Sequence, residues 1–147
     1  MKRGFKFDET MSGWYALTDA PEERNPLSFT VRAQADSLLR YLQDQRMRLE
    51  GTLEARGLAD HVPIEGTMIL APLTRGIIRY EFGFTGNDGH PYRFAGQKNV
   101  SLRSLVRTLV ELPAEILDAG GSVVANSLTR FDLRSDLLQF LASWRPA

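Results

Sequence analysis

The residues in this sequence that could do chemistry are few and scattered. There are two histidines, His61 and His90, and no cysteine. His61 stands in Asp60-His61-Val62-Pro63, which reads as a loop, and His90 stands in the turn Asp88-Gly89-His90-Pro91. A zinc site needs three or four converging ligands, so two such histidines predict surface residues and no metal. The missing thiol removes disulfides, thiolate metal sites and cysteine catalysis together. No serine occupies a Gly-x-Ser-x-Gly elbow. Ser12, in Met11-Ser12-Gly13-Trp14, lacks the first glycine and reads as a strand-end hydroxyl. No Gly-x-Gly-x-x-Gly loop follows a strand, so no dinucleotide cofactor is expected.

Two carboxylates, Asp8 and Glu9, are adjacent. Neighbours on a strand face opposite sides, so they cannot act together on one ligand. Glu9 alone could turn inward beside Met11, but a solvated Glu9 is the plainer expectation. Lys98 has the most to offer, because it continues the face set by Tyr92, Phe94 and Gly96. If that face lines a barrel, the ammonium meets an apolar wall and needs a partner, either a ligand carboxylate or an internal glutamate. The ordinary alternative is a wet strand end. The aromatic residues Trp14, Tyr80, Phe82, Phe84, Tyr92 and Phe94, joined by Met11 and Met68, would line a ligand cavity. Plain core packing, worth about 0.2–1 kcal/mol per cross-strand pair, is the alternative. Gly51, Gly66, Gly83 and Gly96 fall inside strands, where glycine marks a bulge or leaves room for something else.

The elements that must position these residues are mostly strands. Met47, Leu49, Gly51, Leu53 and Ala55 alternate with charged or polar neighbours. Ile64, Gly66, Met68 and Leu70 form a second such face, ended by Pro72. Ile78, Tyr80, Phe82 and Phe84 form a third, and after the turn-rich Thr85–Pro91 segment the alternation resumes at Tyr92. Two short helices are expected, over 36–42 and 132–144. Phe29-Thr30-Val31-Arg32 with Leu38–Leu42 resembles Leu128-Thr129-Arg130-Phe131 with Leu137–Leu141, which suggests one strand-helix unit used twice. The stretch 102–116 fits a helix at first and a strand later. The turn Asp118-Ala119-Gly120-Gly121 and the following run favour a strand over 106–116. The sum is seven or eight strands and two helices. The expected fold is a mainly β, antiparallel, lipocalin-like barrel in one domain over 1–147, with the helices capping an end or edge.

Composition sets outer bounds. With 147 residues and 18 basic against 18 acidic side chains, the chain suits one domain and has no basic excess for nucleic acid or an anionic membrane. The N-terminal stretch has no apolar run like that of a signal peptide, and no stretch nears the roughly 20 apolar residues of a membrane span. Cytoplasmic placement is the default expectation.

Three segments suggest a family. Glu9-Thr10-Met11-Ser12-Gly13-Trp14-Tyr15, Leu27-Ser28-Phe29-Thr30-Val31-Arg32-Ala33 and Tyr92-Arg93-Phe94-Ala95-Gly96-Gln97-Lys98-Asn99-Val100 resemble the accessory β domain of bacterial glucose-methanol-choline flavin oxidoreductases of the cholesterol-oxidase type. The resemblance implies a stand-alone accessory domain linked to oxidation of sterols or other lipids. It brings no catalytic residues. The expectation is therefore a non-catalytic binding or accessory module. Its ligand would be lipid- or steroid-like and bound by Lys98, Tyr92, Phe94, Tyr80, Phe82, Trp14, Met11 and Met68, and its partner an oxidoreductase. The alternatives are an assembly module or homo-oligomer with no small ligand, and a small barrel enzyme of cyclase or isomerase type using Lys98 or Glu9.

Overall fold

The computed structural model describes residues 3–131 and 142–147. Eight antiparallel strands follow one another around a closed barrel: β1 (Phe5–Leu17), β2 (Asn25–Ala35), β3 (Arg46–Ala55), β4 (Ala59–Ala71), β5 (Ile77–Thr85), β6 (Pro91–Asn99), β7 (Glu111–Asp118) and β8 (Val123–Arg130). β1 closes the ring by pairing with β2 over Phe5–Tyr15 and with β8 over Ser12–Leu17. A two-residue β9 (Arg145–Pro146) adds to β1 at Phe5–Lys6. Helix α1 (Leu38–Asp44) joins β2 to β3, and α2 (Leu105–Val110) joins β6 to β7.

The alternation in the sequence becomes inside and outside. Met47, Leu49, Leu53 and Ala55 of β3 are buried, as are Ile78, Tyr80, Phe82 and Phe84 of β5. Because the strands simply run up and down, every even-numbered connection lies at one end. That helical end carries α1, the 72–76 loop, α2 and the 142–147 tail. The opposite, turn end carries the tight connections 18–24, 56–58, 86–90 and 119–122.

Gly51, Gly66 and Gly96 sit where neighbouring atoms leave no room for a side chain, so they do not open space inside, while Gly83 faces outward with only the Tyr92 carbonyl oxygen near it, 3.7 Å from where a Cβ would stand. A Cβ on Gly51 would lie 1.9 Å from the Thr30 carbonyl oxygen, and one on Gly66 would lie 1.9 Å from that of Glu81. Only a residue with no side chain lets adjacent backbones come this close where a small barrel bends. Gly96 is likewise faced by Leu112 and Ala114.

Three further expectations change. Residues 105–110 are helix and strand begins at Glu111, so the strand expected over 106–116 is correct only in its second half. The 3-4 spacing of Leu102, Leu105, Val106 and Leu109 was the true signal. The β6–β7 ladder stops at the Gly96–Ala114 pair, next to Pro113, which has no N–H to extend it. The two strands part there, and α2 lies against both. His61 sits in β4 with φ of 52° and bonds Glu54, where a loop was expected. The repeated strand-helix unit also fails in its strand half. Phe29 and Val31 point inward, whereas their counterparts Leu128 and Arg130 lie on the outer side, and Thr129 and Phe131 are the buried ones. The expected helix over 132–144 lies largely outside the described residues.

Candidate functional site: a buried lysine in an apolar pocket

The barrel interior divides into two halves. Toward the middle, Phe29, Phe82 and Phe94 form a solid aromatic block. Phe82 and Phe94 stack at 4.5 Å between ring centroids, and Phe29 meets each edge-on at 5.3 and 5.4 Å. Below it, at the helical end, the interior opens into a cavity of about 230 Å³. Its walls are apolar: Phe7 from β1, Met68 and Leu70 from β4, Ile78 from β5, Leu109 and Val110 from α2, then Phe131 and Trp144. Trp144 stacks on Phe7 with centroids 4.4 Å apart and forms part of the lid.

Three polar groups reach into this wall. Tyr80 donates its hydroxyl to Glu9 Oε1 at 2.5 Å. Lys98 donates Nζ–H to the Leu109 carbonyl at 2.8 Å, tying β6 to the last turn of α2. Its ammonium also lies 5.4 Å from the centroid of the Tyr80 ring. Glu9 is 8% and Lys98 3% exposed, so both alternatives expected as ordinary, a solvated Glu9 and a wet strand-end Lys98, are overturned. β1 places Glu9 inward with Phe7 and Met11 and leaves Asp8 outside, where it pairs with Arg32 at 3.0 Å.

Burial controls the chemistry here. Removal from water pushes the Lys98 ammonium below its ordinary value of 10.5, and the Glu9 charge partly opposes that. Burial, with the charge and hydrogen bond of Glu9, holds the Tyr80 phenol well above its ordinary 10.0. The two shifts act oppositely on stability. Between the folded-state value of Lys98 and 10.5, the unfolded chain binds the extra proton, so stability rises with pH across that window. Above 10.0 the folded chain keeps the Tyr80 proton that the unfolded chain loses, so stability falls. Urea melts across the alkaline range are expected to show a climb and then a turnover, and Lys98→Met is expected to lose the climb. An unchanged climb in that variant would contradict the assignment.

Of the eight residues expected to contact a ligand, Lys98, Tyr80 and Met68 line the cavity. Phe82, Phe94 and Met11 belong to the solid core beside it. Tyr92 lies near the turn end, stacked on Phe84 and donating to Asp88. Trp14 is on the outer face, under Arg24, whose guanidinium carbon lies 4.2 Å from the ring centroid. Position parity along β1 gives that result, since Trp14 is out of step with Phe7, Glu9 and Met11. The wall supplied by α2 is absent from the sequence reading because that reading takes 106–116 as strand, and Trp144 is placed there on the expected helix over 132–144 without being assigned to a cavity. A larger hollow of about 660 Å³ runs over the outside of β1–β4, lined by Asp8, Arg32, Glu50 and Glu65. It is an open, charged groove with its Arg32–Asp8 pair already formed. Among the described residues no cluster of three metal-ligating side chains occurs.

No family model matches the chain, and no curated protein matches it. Among solved structures the chain is similar to a redesigned β-barrel, at 10% identity and a TM-score of 0.48 over 84% of this chain and 90% of that one. Barrel closure itself is read from the strand register.

Proposed function

We propose that the chain is a non-catalytic binding module that holds a small apolar molecule with an uncharged polar end. The observation that carries this reading is the apolar cavity of about 230 Å³ with Lys98, Glu9 and Tyr80 buried in its wall. An ammonium has three N–H donors, and the Leu109 carbonyl takes one of Lys98's. The others suit a ligand oxygen. The internal glutamate already balances the lysine, so a ligand carboxylate would add a second negative charge to a dry site, at a cost. A ketone, alcohol or ester oxygen avoids that cost. Pockets for drug-sized ligands span roughly 300–1,000 Å³, so this one suits a short apolar molecule or one end of a longer lipid- or steroid-like one.

The reading keeps the accessory role implied by the oxidoreductase resemblance, with an oxidoreductase as the partner to be sought by pull-down. A second reading draws on the same three side chains: a small barrel enzyme using Lys98 or Glu9 as acid or base. Calorimetric titration separates them from a merely structural pocket. Decanol is expected to bind, decanoate to bind about tenfold more weakly at neutral pH, a difference of about 1.4 kcal/mol, and Lys98→Met to bind decanol poorly. If neither ligand binds, or Lys98→Met binds both as the native chain does, the proposal fails. Turnover of a bound carbonyl compound, lost in Lys98→Met, would favour the enzyme reading.

A further inference from the structure

The two ends of the barrel differ in surface chemistry. Among the described residues, every large exposed apolar side chain except Leu17 belongs to the helical end. Leu73 at the tip of the 72–76 loop is 98% exposed and Leu102, ahead of α2, is 93% exposed; Leu39 and Leu42 of α1 and Val106 of α2 follow at 72%, 65% and 63%. Helix α1 buries no residue at all, and α2 buries only Val110. These elements spend their apolar residues on solvent, which a barrel cap has no reason to do.

Arginines are interleaved with them. Arg40 on α1, Arg75 beside Leu73, and Arg103 and Arg107 beside Leu102 and Val106 are all exposed, and none forms an ion pair among the described residues. The acids at this end are mostly committed. Asp36 holds Arg48 at 2.8 Å, Glu111 faces Arg130, and the Asp44 carboxylate accepts from the Arg46 backbone N–H. The turn end carries more exposed acids than bases: Asp19, Glu22, Glu23, Asp60 and Asp88 against Arg24 and Arg56. Among the described residues the charge is thus polarised along the barrel axis.

We infer that the helical end docks on an anionic lipid bilayer, with Leu73, Leu102 and Val106 entering the interface and Arg75, Arg103 and Arg107 contacting headgroups. Exposed apolar side chains framed by arginine are the chemistry an interfacial surface requires, and charge complementarity selects an anionic one. Among the described residues no helix is long and apolar enough to cross a membrane, so the contact is peripheral. The pocket gives this geometry its meaning. Leu109, Val110 and Trp144 lie both at this end and in the pocket wall, so docking sets the cavity against the lipid surface. The inference rests on the proposed binding function only for what docking delivers, namely an apolar ligand taken from the bilayer.

Flotation with vesicles tests it. The native chain is expected to float with vesicles of phosphatidylcholine mixed with phosphatidylglycerol, weakly with phosphatidylcholine alone, and less as salt is raised. Leu73→Glu with Leu102→Glu is expected to lower the bound fraction about tenfold, and Arg103→Gln with Arg107→Gln to remove the preference for anionic lipid. All four positions are exposed, and circular dichroism would check that each variant is folded. A folded native chain that does not float, or variants that float as well as it does, overturns the inference. So does a dimer seen by light scattering that the leucine variant dissociates, since that assigns the face to a second copy. Lys98→Met should still float, so a chain that floats but binds no decanol keeps the docking and loses the pocket reading.

Discussion

Replacing Lys98 by methionine and Glu9 by glutamine together is expected to give a barrel about 1–4 kcal/mol more stable than the native one that no longer retains a polar-ended apolar ligand. Both charges are buried, Lys98 at 3% and Glu9 at 8% exposure. Taking a charge out of water costs several kcal/mol, and attraction in the interior repays this only where geometry and hydrogen bonding are complete. Here the pair does not meet directly. Lys98 bonds a main-chain carbonyl, and Glu9 is held by Tyr80. Methionine fills nearly the same volume as the lysine stem, and glutamine can still accept from the Tyr80 hydroxyl. Lys98→Met alone should be less stable than the double variant, because it leaves the Glu9 carboxylate buried with no cation. Urea midpoints of the two variants and the native chain measure this directly. A double variant that is less stable than the native chain would mean the polar groups serve the fold, not a ligand. A gain in stability with loss of binding is the pattern of a functional site held at the expense of the core.

Phe94→Ala is expected to cost about 3–5 kcal/mol. Phe94 is fully buried, stacks on Phe82 and meets Phe29 edge-on, so its removal leaves a void and breaks two ring contacts. Such contacts add about 0.5–1.5 kcal/mol each beyond the area they bury. Against a typical total of about 5–15 kcal/mol, that loss leaves a marginal barrel. Denaturant unfolding reads the size of the effect. Met68, from the pocket wall, provides the contrast. Met68→Ala should cost less than Phe94→Ala, since one side of Met68 faces a cavity and not packed atoms. Equal costs would argue that the interior is uniformly filled.

Much of the barrel was legible because period-two alternation is strong where one face is buried. Tyr80, Phe82 and Phe84 point inward as their spacing requires. The face carrying Lys98 was legible too, but its burial was not. Whether a strand end is wet depends on what covers it, and here the cover is α2, whose 3-4 apolar spacing is short and runs straight into the strand pattern of β7. Glu9 was obscured for a related reason: alternation places it inward, yet its partner Tyr80 comes 71 positions later. Gly51 and Gly66 were visible as strand glycines, but whether such a residue opens a cavity or lets backbones touch depends on the neighbouring strand. The charge reading failed most instructively. A zero sum of 18 and 18 concealed, among the described residues, a more basic, apolar end and a more acidic one, because only the alternating course of the strands sorts the loops into two sets.

A crystal structure of the protein purified without denaturation, at a resolution that shows bound small molecules, tests the central claim most directly. The account predicts continuous density in the cavity between Met68, Ile78 and Trp144, with an uncharged polar atom of the ligand within hydrogen-bonding reach of Lys98 Nζ and no ligand carboxylate beside Glu9. A cavity closed by repacked side chains, or a direct Lys98–Glu9 ion pair filling it, would contradict the account.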